Sequence, residues 1–140
     1  MKPIVIDSSA AGAWVMPDGP NIAAHELYAQ ARTTPDLFHA PALWLWEMGN
    51  MLVMGQARKR IDAGMVERGL GILSQARIQF DGAPNAHRQA QVARLASTHG
   101  LTYYDASYLE LVLRLNGQLA SLDRQLLDAA RSCGIVCLSF

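Results

Sequence analysis

Ile4-Val5-Ile6-Asp7-Ser8-Ser9 decides how this chain is read. Three β-branched residues follow Pro3 and halt at an acid and two hydroxyls. The run is too short for a helix and reads as a buried strand. Asp7, Ser8 or Ser9 can then cap a helix running through Ala10 to Val15.

Outward from this stretch the alternation of strand and helix continues. Met16-Pro17-Asp18-Gly19-Pro20 is a breaker. A helix is expected from about Asn21 to Arg32, with Ala24, Leu27, Tyr28 and Ala31 at helical spacing. Leu37 to Ala40 reads as a second strand, closed by Pro41. Ala42 to Arg60 is the longest helical stretch. Its start is apolar nearly all round (Leu43, Trp44, Leu45, Trp46, Met48), which places it centrally or against a partner. Asp62 can cap a helix to about Ser74, and Ile78 to Phe80 suggests a third strand. Asn85 to Thr98 is helical with Gly100 in the usual stop position. Asp105 to Leu115 follows, stopped by Asn116-Gly117. Gln118 to Ser121 reads as a strand, Asp123 to Ser132 as a helix, and Ile135 to Leu138 as a final strand. The expectation is an α/β fold: one domain over residues 1–140, with a mostly parallel sheet of about four to five short strands sandwiched by helices.

The chain has 140 residues, 51% of them hydrophobic, and its 12 basic and 12 acidic side chains cancel. Neutrality removes the broad basic surface common in nucleic-acid binders, so any such binding rests on where the charges sit. Cys133 and Cys137 lack neighbouring ligands for a zinc site and read as two small buried hydrophobes. His25, His39, His87 and His99 show no ligand spacing. No leader-like segment opens the chain, and no apolar run approaches the roughly 20 residues that cross a bilayer. A soluble, cytoplasmic protein is expected.

Most of the acids need no special account: Asp18, Asp36, Asp62, Asp81, Glu26 and Glu67 fall in turns or polar helical stretches. Four are in the wrong surroundings. Asp7 ends a buried-type strand. Glu47 interrupts Leu43-Trp44-Leu45-Trp46 and Met48. Asp105 follows Leu101-Thr102-Tyr103-Tyr104 and opens a leucine-rich helix. Asp123 closes Leu119-Ala120-Ser121-Leu122 and precedes Leu126-Leu127. Burying a carboxylate without a partner costs several kcal/mol. Asp7, Asp105 and Asp123 could each be a helix cap; Glu47, in mid-helix, has no such explanation.

In parallel α/β sheets, sites gather at the carboxyl ends of strands. If the first and penultimate strands are neighbours, three of these acids converge at one edge, and Glu47 can face the same point. A hard divalent cation, Mg²⁺ or Mn²⁺, is the natural way to hold such a cluster. A phosphoacceptor receiver-type domain would want a lysine late in the chain, but only Lys2 and Lys59 exist. A haloacid-dehalogenase-like phosphatase would want a second Asp two residues after the first, where Ser9 stands.

The four acidic segments, taken in order, resemble those of the PIN-domain family. Ile4-Val5-Ile6-Asp7-Ser8-Ser9 is similar to its opening, and Pro41-Ala42-Leu43-Trp44 leading to Glu47 and Asn50 to its second acidic segment. Tyr104-Asp105-Ala106-Ser107-Tyr108-Leu109 and Ser121-Leu122-Asp123-Arg124-Gln125-Leu126 are similar to its third and fourth. The order and length are most similar to VapC-type toxins of toxin–antitoxin pairs, and the likeness runs from about Lys2 to Leu138. It implies a ribonuclease dependent on Mg²⁺ or Mn²⁺, a homodimer, and a cognate antitoxin that blocks the site. Asp7, Glu47, Asp105 and Asp123 would be both metal ligands and catalytic residues, with Ser9, Asn50 and Ser121 in support. Ser8 and Ser121 stand where many relatives have Thr, so a hydroxyl remains at each. Glu110, five residues after Asp105, is either a further acid behind the site or solvent-exposed. Arg58-Lys59-Arg60, the one tight basic run, and Arg124 are candidates for RNA phosphates; a helix end complementing the dipole is the other reading of that run. The rival to a nuclease is a catalytically silent PIN-like binding or scaffold module.

Overall fold

The computed structural model describes residues 1–19 and 21–138, so Pro20 of the expected breaker lies outside the described residues. Strand β1 (Ile4–Ile6) is wholly buried and passes into α1 (Ser8–Val15) through Asp7, the N-cap, whose carboxylate accepts the Ala10 N–H. Then come α2 (Ile22–Thr33), β2 (Phe38–Pro41), α3 (Leu43–Ala57), α4 (Ala63–Gln75), β3 (Ile78–Asp81) and α5 (Ala86–His99). The chain finishes with α6 (Tyr103–Leu115), β4 (Gln118–Ala120), α7 (Arg124–Ser132) and β5 (Cys137–Leu138).

The five strands form one parallel sheet in the order β3-β2-β1-β4-β5. β1 and β4 are neighbours in register, Ile4 beside Gln118 and Ile6 beside Ala120. The chain therefore builds outward from β1 in one direction and later restarts on its other side with β4. That reversal leaves a crevice at the carboxyl ends of β1 and β4, where open parallel sheets place their ligands. Gly117 permits the close approach of β4 to the start of β1: a Cβ there would sit 2.5 Å from the Pro3 carbonyl oxygen, which also accepts the Gln118 N–H.

Helices α1 to α4 pack on one another, as do α5 to α7, with α6 lying against β1 and β2. The core between them holds Val5, Ile6, Phe38, Leu119, Trp44, Met48, Leu52, Leu109, Val112 and Leu126, all fully buried. Helix caps follow local chemistry: the side chains of Asn21, Asp62, Asn85 and Asp123 each accept an N–H three residues on, and Gly100 (φ 66°) ends α5 in the left-handed conformation.

Five expectations are corrected. Helix α3 stops at Ala57 rather than Arg60, because Lys59 turns left-handed (φ 61°) and the Arg60 N–H returns to the Gly55 carbonyl. Arg58-Lys59-Arg60 is thus a turn and not a final helical turn. Helix α6 begins at Tyr103 with Thr102 as its cap, so Asp105 lies inside the first turn. Pro41 ends β2 instead of following it, and the last strand is shorter than expected, Cys137–Leu138. Cys133 and Cys137 are free thiols and only half-buried, with the Cys133 sulfur 3.5 Å from His99 Nε2.

Candidate active site

The crevice between β1 and β4 is organised around Asp7. Its side chain is buried, and both oxygens are used. Ser9 Oγ donates to Oδ1 at 2.8 Å, as does the Ala10 N–H at 3.0 Å, while Ser121 Oγ donates to Oδ2 at 2.5 Å. Ser121, itself buried, accepts the Asp123 N–H at 3.0 Å, and Ser9 Oγ accepts the Leu122 N–H at 2.8 Å. Two strand ends distant in sequence are thereby locked by a carboxylate and two hydroxyls. Asp7 and Asp123 each cap a helix with their carboxylates, and the Asp123 charge is felt at Asp7.

Glu47 reaches the same region from α3. The Tyr108 hydroxyl donates to its Oε1 at 2.5 Å, joining α3 to α6. Asp105, half-buried, projects from the first turn of α6. The electrostatics join the four acids. Burial pushes the Asp7 carboxyl above the usual range, and the Asp123 charge adds to this against the hydrogen bonds from Ser121, Ala10 and Ser9. Desolvation raises Glu47 as well, helped by the charges of Asp105 and Asp7 and opposed by the Tyr108 and Ser8 hydroxyls. Asp105 is raised by desolvation and then by Asp123. Asp7, Glu47 and Asp105 each thus feel at least one other acid, in surroundings that disfavour their own negative charge.

Neutralisation by a bound cation answers that demand. The donors are all carboxylate oxygens, with no thiolate or imidazole among them, and this set suits a hard ion such as Mg²⁺ or Mn²⁺. Among the described residues, no group of three His, Cys, Asp or Glu side chains stands close enough to grip an ion as positioned.

The remaining candidates divide. Ser9 and Ser121 are in the network. Asn50 is exposed on α3, and none of the site's hydrogen bonds reaches it. Arg124 is exposed beside Asp123, at the start of α7. Arg58 and Lys59 are exposed, and Arg60 is ion-paired with Asp18. Arg60, Asp18, Ser9 and Leu122 all line one groove of about 380 Å³, which links the crevice to the basic turn.

Glu110 is neither behind the acids nor in solvent. It is buried against Arg114 (Nε to Oε2, 2.8 Å) and near Arg88 (3.6 Å), and both arginines also pair with Asp81. Asp81, expected to be merely solvated in a turn, belongs to this ion network joining β3, α5 and α6. Tyr108 was the functional candidate missed by sequence reasoning. The available signal was a hydroxyl three residues after Asp105, one helical turn on, among leucines.

Comparison with known proteins places these features. The family model of the PIN domain matches residues 4–132. Over 129 residues the chain is 30% identical to Ribonuclease VapC3 of Pyrobaculum aerophilum, covering 89% of this chain and 92% of that one. The crystal structure of PAE2754 from Pyrobaculum aerophilum superposes with a TM-score of 0.73 at 26% identity, covering 97% and 89% of the two chains. That of Mycobacterium tuberculosis VapC20, described as a Sarcin-Ricin loop cleaving toxin, superposes with a TM-score of 0.64 over 95% and 96%. At 14% identity the latter likeness speaks for the fold alone.

Proposed function

The chain belongs to the PIN-domain family, and from that premise we propose that it is a metal-dependent endoribonuclease, the toxin of a VapBC-type toxin–antitoxin pair. One observation carries the proposal. Asp7 and Asp123, at the ends of adjacent strands, are tied through Ser121 at the crevice where this fold class binds ligands, and Glu47 and Asp105 are electrostatically coupled to them.

Asp7, Glu47, Asp105 and Asp123 would hold Mg²⁺ or Mn²⁺. Such an ion supplies a water of lowered pKa and neutralises charge developing on a phosphodiester. The protein's own groups supply position. Ser121 and Ser9 fix both oxygens of Asp7, so that the carboxylate does not rotate away. Tyr108 fixes Oε1 of Glu47 and so holds that carboxylate near the charges of Asp7 and Asp105, where it would serve to accept a proton from a water.

The basic side chains are the phosphate contacts in this reading. Arg124 stands beside the acids, and the groove from Ser9 leads to Arg60, with Arg58 and Lys59 in the same turn. The exposed apolar residues Leu45 and Val53 of α3 suit contact with a protein partner. A second copy of the chain and a cognate antitoxin are the partners proposed. No helix of the described residues is long and apolar enough to cross a membrane. The cytoplasm, where RNA and antitoxin are met, is the proposed site of action.

The test is cleavage of total cellular RNA by the purified chain with Mn²⁺ or Mg²⁺. Cleavage is expected to stop with EDTA and in the Asp105→Asn protein, chosen because Asp105 caps no helix. Equal cleavage by that variant identifies a contaminant. Absence of cleavage, with no divalent-ion binding by calorimetry, leaves the silent binding module standing instead.

A further inference from the structure

The carboxyl rim of the sheet continues past the acids. Over the ends of β2 and β3, between the first turns of α3 and α6 and the loop after β3, lies a groove of about 320 Å³. Its walls are largely apolar and include Leu43, Trp46, Pro84, Tyr103 and Tyr104. Trp46 is 70% exposed and Tyr104 60% exposed. The floor is different: the hydroxyl of Ser107, which donates to the Tyr103 carbonyl, lies there with the Arg88–Glu110–Asp81 cluster, of which Glu110 is buried and the other two half-buried.

The groove and the acids are joined through the backbone. Trp46 precedes Glu47 and Tyr104 precedes Asp105, with about 3.8 Å between consecutive Cα atoms. Across the sheet, the groove over β2 and β3 is about two strand spacings from the crevice over β1 and β4, roughly 10 Å. A ligand whose phosphodiester rests on the acids would have a neighbouring nucleotide within reach of the groove.

We propose that this groove is a nucleobase subsite, in which a base beside the scissile phosphate stacks on Trp46 and Tyr104 and turns its polar edge to the Ser107 floor. The proposal rests on the nuclease reading and adds to it a substrate form: unpaired RNA, since a base held in a duplex cannot be offered to a groove. Exposed aromatic rings are the usual platform for unpaired bases. One polar atom of the lining argues against the apolar face of a partner helix as occupant: Arg88 Nε is buried without a hydrogen-bond partner among the described residues, and only a ligand carrying an acceptor would satisfy it. A flat ring with hydrogen-bonding edges suits both the walls and the floor.

The experiment uses the Asp105→Asn protein with Mg²⁺, titrated with short single-stranded oligoadenylate while tryptophan fluorescence is followed. Saturable quenching is expected, and it disappears when Trp46→Phe is added. In the active protein, Tyr104→Ala is expected to raise KM about tenfold with kcat nearly unchanged, the size of one aromatic–base stack. Quenching that survives Trp46→Phe overturns the subsite. So does a Trp46→Ala protein that sediments as a smaller species than wild type, since the ring is then covered by a second copy. RNA cleavage with Trp46 unaffected removes the subsite alone; failure of the wild-type protein to bind or cleave any RNA removes the nuclease reading with it.

Discussion

Tyr108, buried in α6, donates a 2.5 Å hydrogen bond to Glu47 of α3, among the described residues the one side-chain hydrogen bond between these two helices, each of which carries a candidate acid. Burial, and then the hydrogen bond to Glu47, push the phenol far above its usual range, so it remains a donor at every working pH. Tyr108→Phe removes the donor and little volume. A hydrogen bond to an ionised group stabilises by about 1.5–3 kcal/mol, and denaturant unfolding should show a loss toward the lower end, because Glu47 is only half-buried. Mn²⁺ affinity by calorimetry is expected to fall roughly tenfold, following from about 1.4 kcal/mol of lost preorganisation. Unchanged metal affinity would show that Glu47 needs no such anchor.

Ser121 serves two neighbours at once, donating to Asp7 and accepting from the Asp123 N–H. Ser121→Ala leaves a buried carboxylate oxygen and a backbone donor short of a partner, at a cost of about 1–3 kcal/mol. Ser121→Thr keeps the hydroxyl. The alanine protein is expected to melt lower and cleave RNA more slowly, while the threonine protein stays near wild type in both. Equal behaviour of the two variants would mean that the hydroxyl contributes nothing.

What the sequence made legible was local. Strands ending in acids and caps such as Asn21, Asp62 and Asn85 are written within a few residues, and all are where their chemistry puts them. The four acids stood out because carboxylates among leucines and tryptophans need a reason, and in the fold Asp7, Glu47 and Asp105 each feel the charge of another of them. The end of α3 was not, because a lysine with φ of 61° carries no mark in the sequence that distinguishes it from a helical lysine. The start of α6 was obscured by Tyr103-Tyr104, which suit a strand equally well; Thr102, three residues before Asp105, was the overlooked cap signal. Glu110 and Asp81 were misplaced for a different reason. Their partners Arg88 and Arg114 come from separate elements, and only the folded chain brings the four together.

That ion network predicts a purely structural phenotype. Glu110 is buried between two arginines that also hold Asp81. Glu110→Gln removes one charge and leaves Arg88 and Arg114 sharing Asp81 alone, a loss of about 3 kcal/mol for a pair this buried. Chemical denaturation should register it. Because Glu110 is outside the acid cluster, Mn²⁺ affinity below the melting range is expected to match wild type. A large drop in metal affinity would place Glu110 behind the site after all.

The last prediction concerns pH. Burial raises the carboxyl of Asp7, and desolvation raises Glu47 and Asp105 in the same direction. A raised pKa means that the folded chain holds these protons more tightly than the unfolded one. Their contribution to stability is full below the ordinary carboxyl range near 4 and is lost as pH climbs through the raised folded values. With EDTA present, the melting temperature should therefore fall as pH rises above the ordinary carboxyl range, and Asp7→Asn should flatten that slope. Mg²⁺ prefers the ionised cluster, so its stabilising increment should be larger above that range than within it. A metal-free protein that gains stability over the same rise in pH, or a Mg²⁺ increment indifferent to pH, would show that these acids do not share a desolvated, repelling pocket.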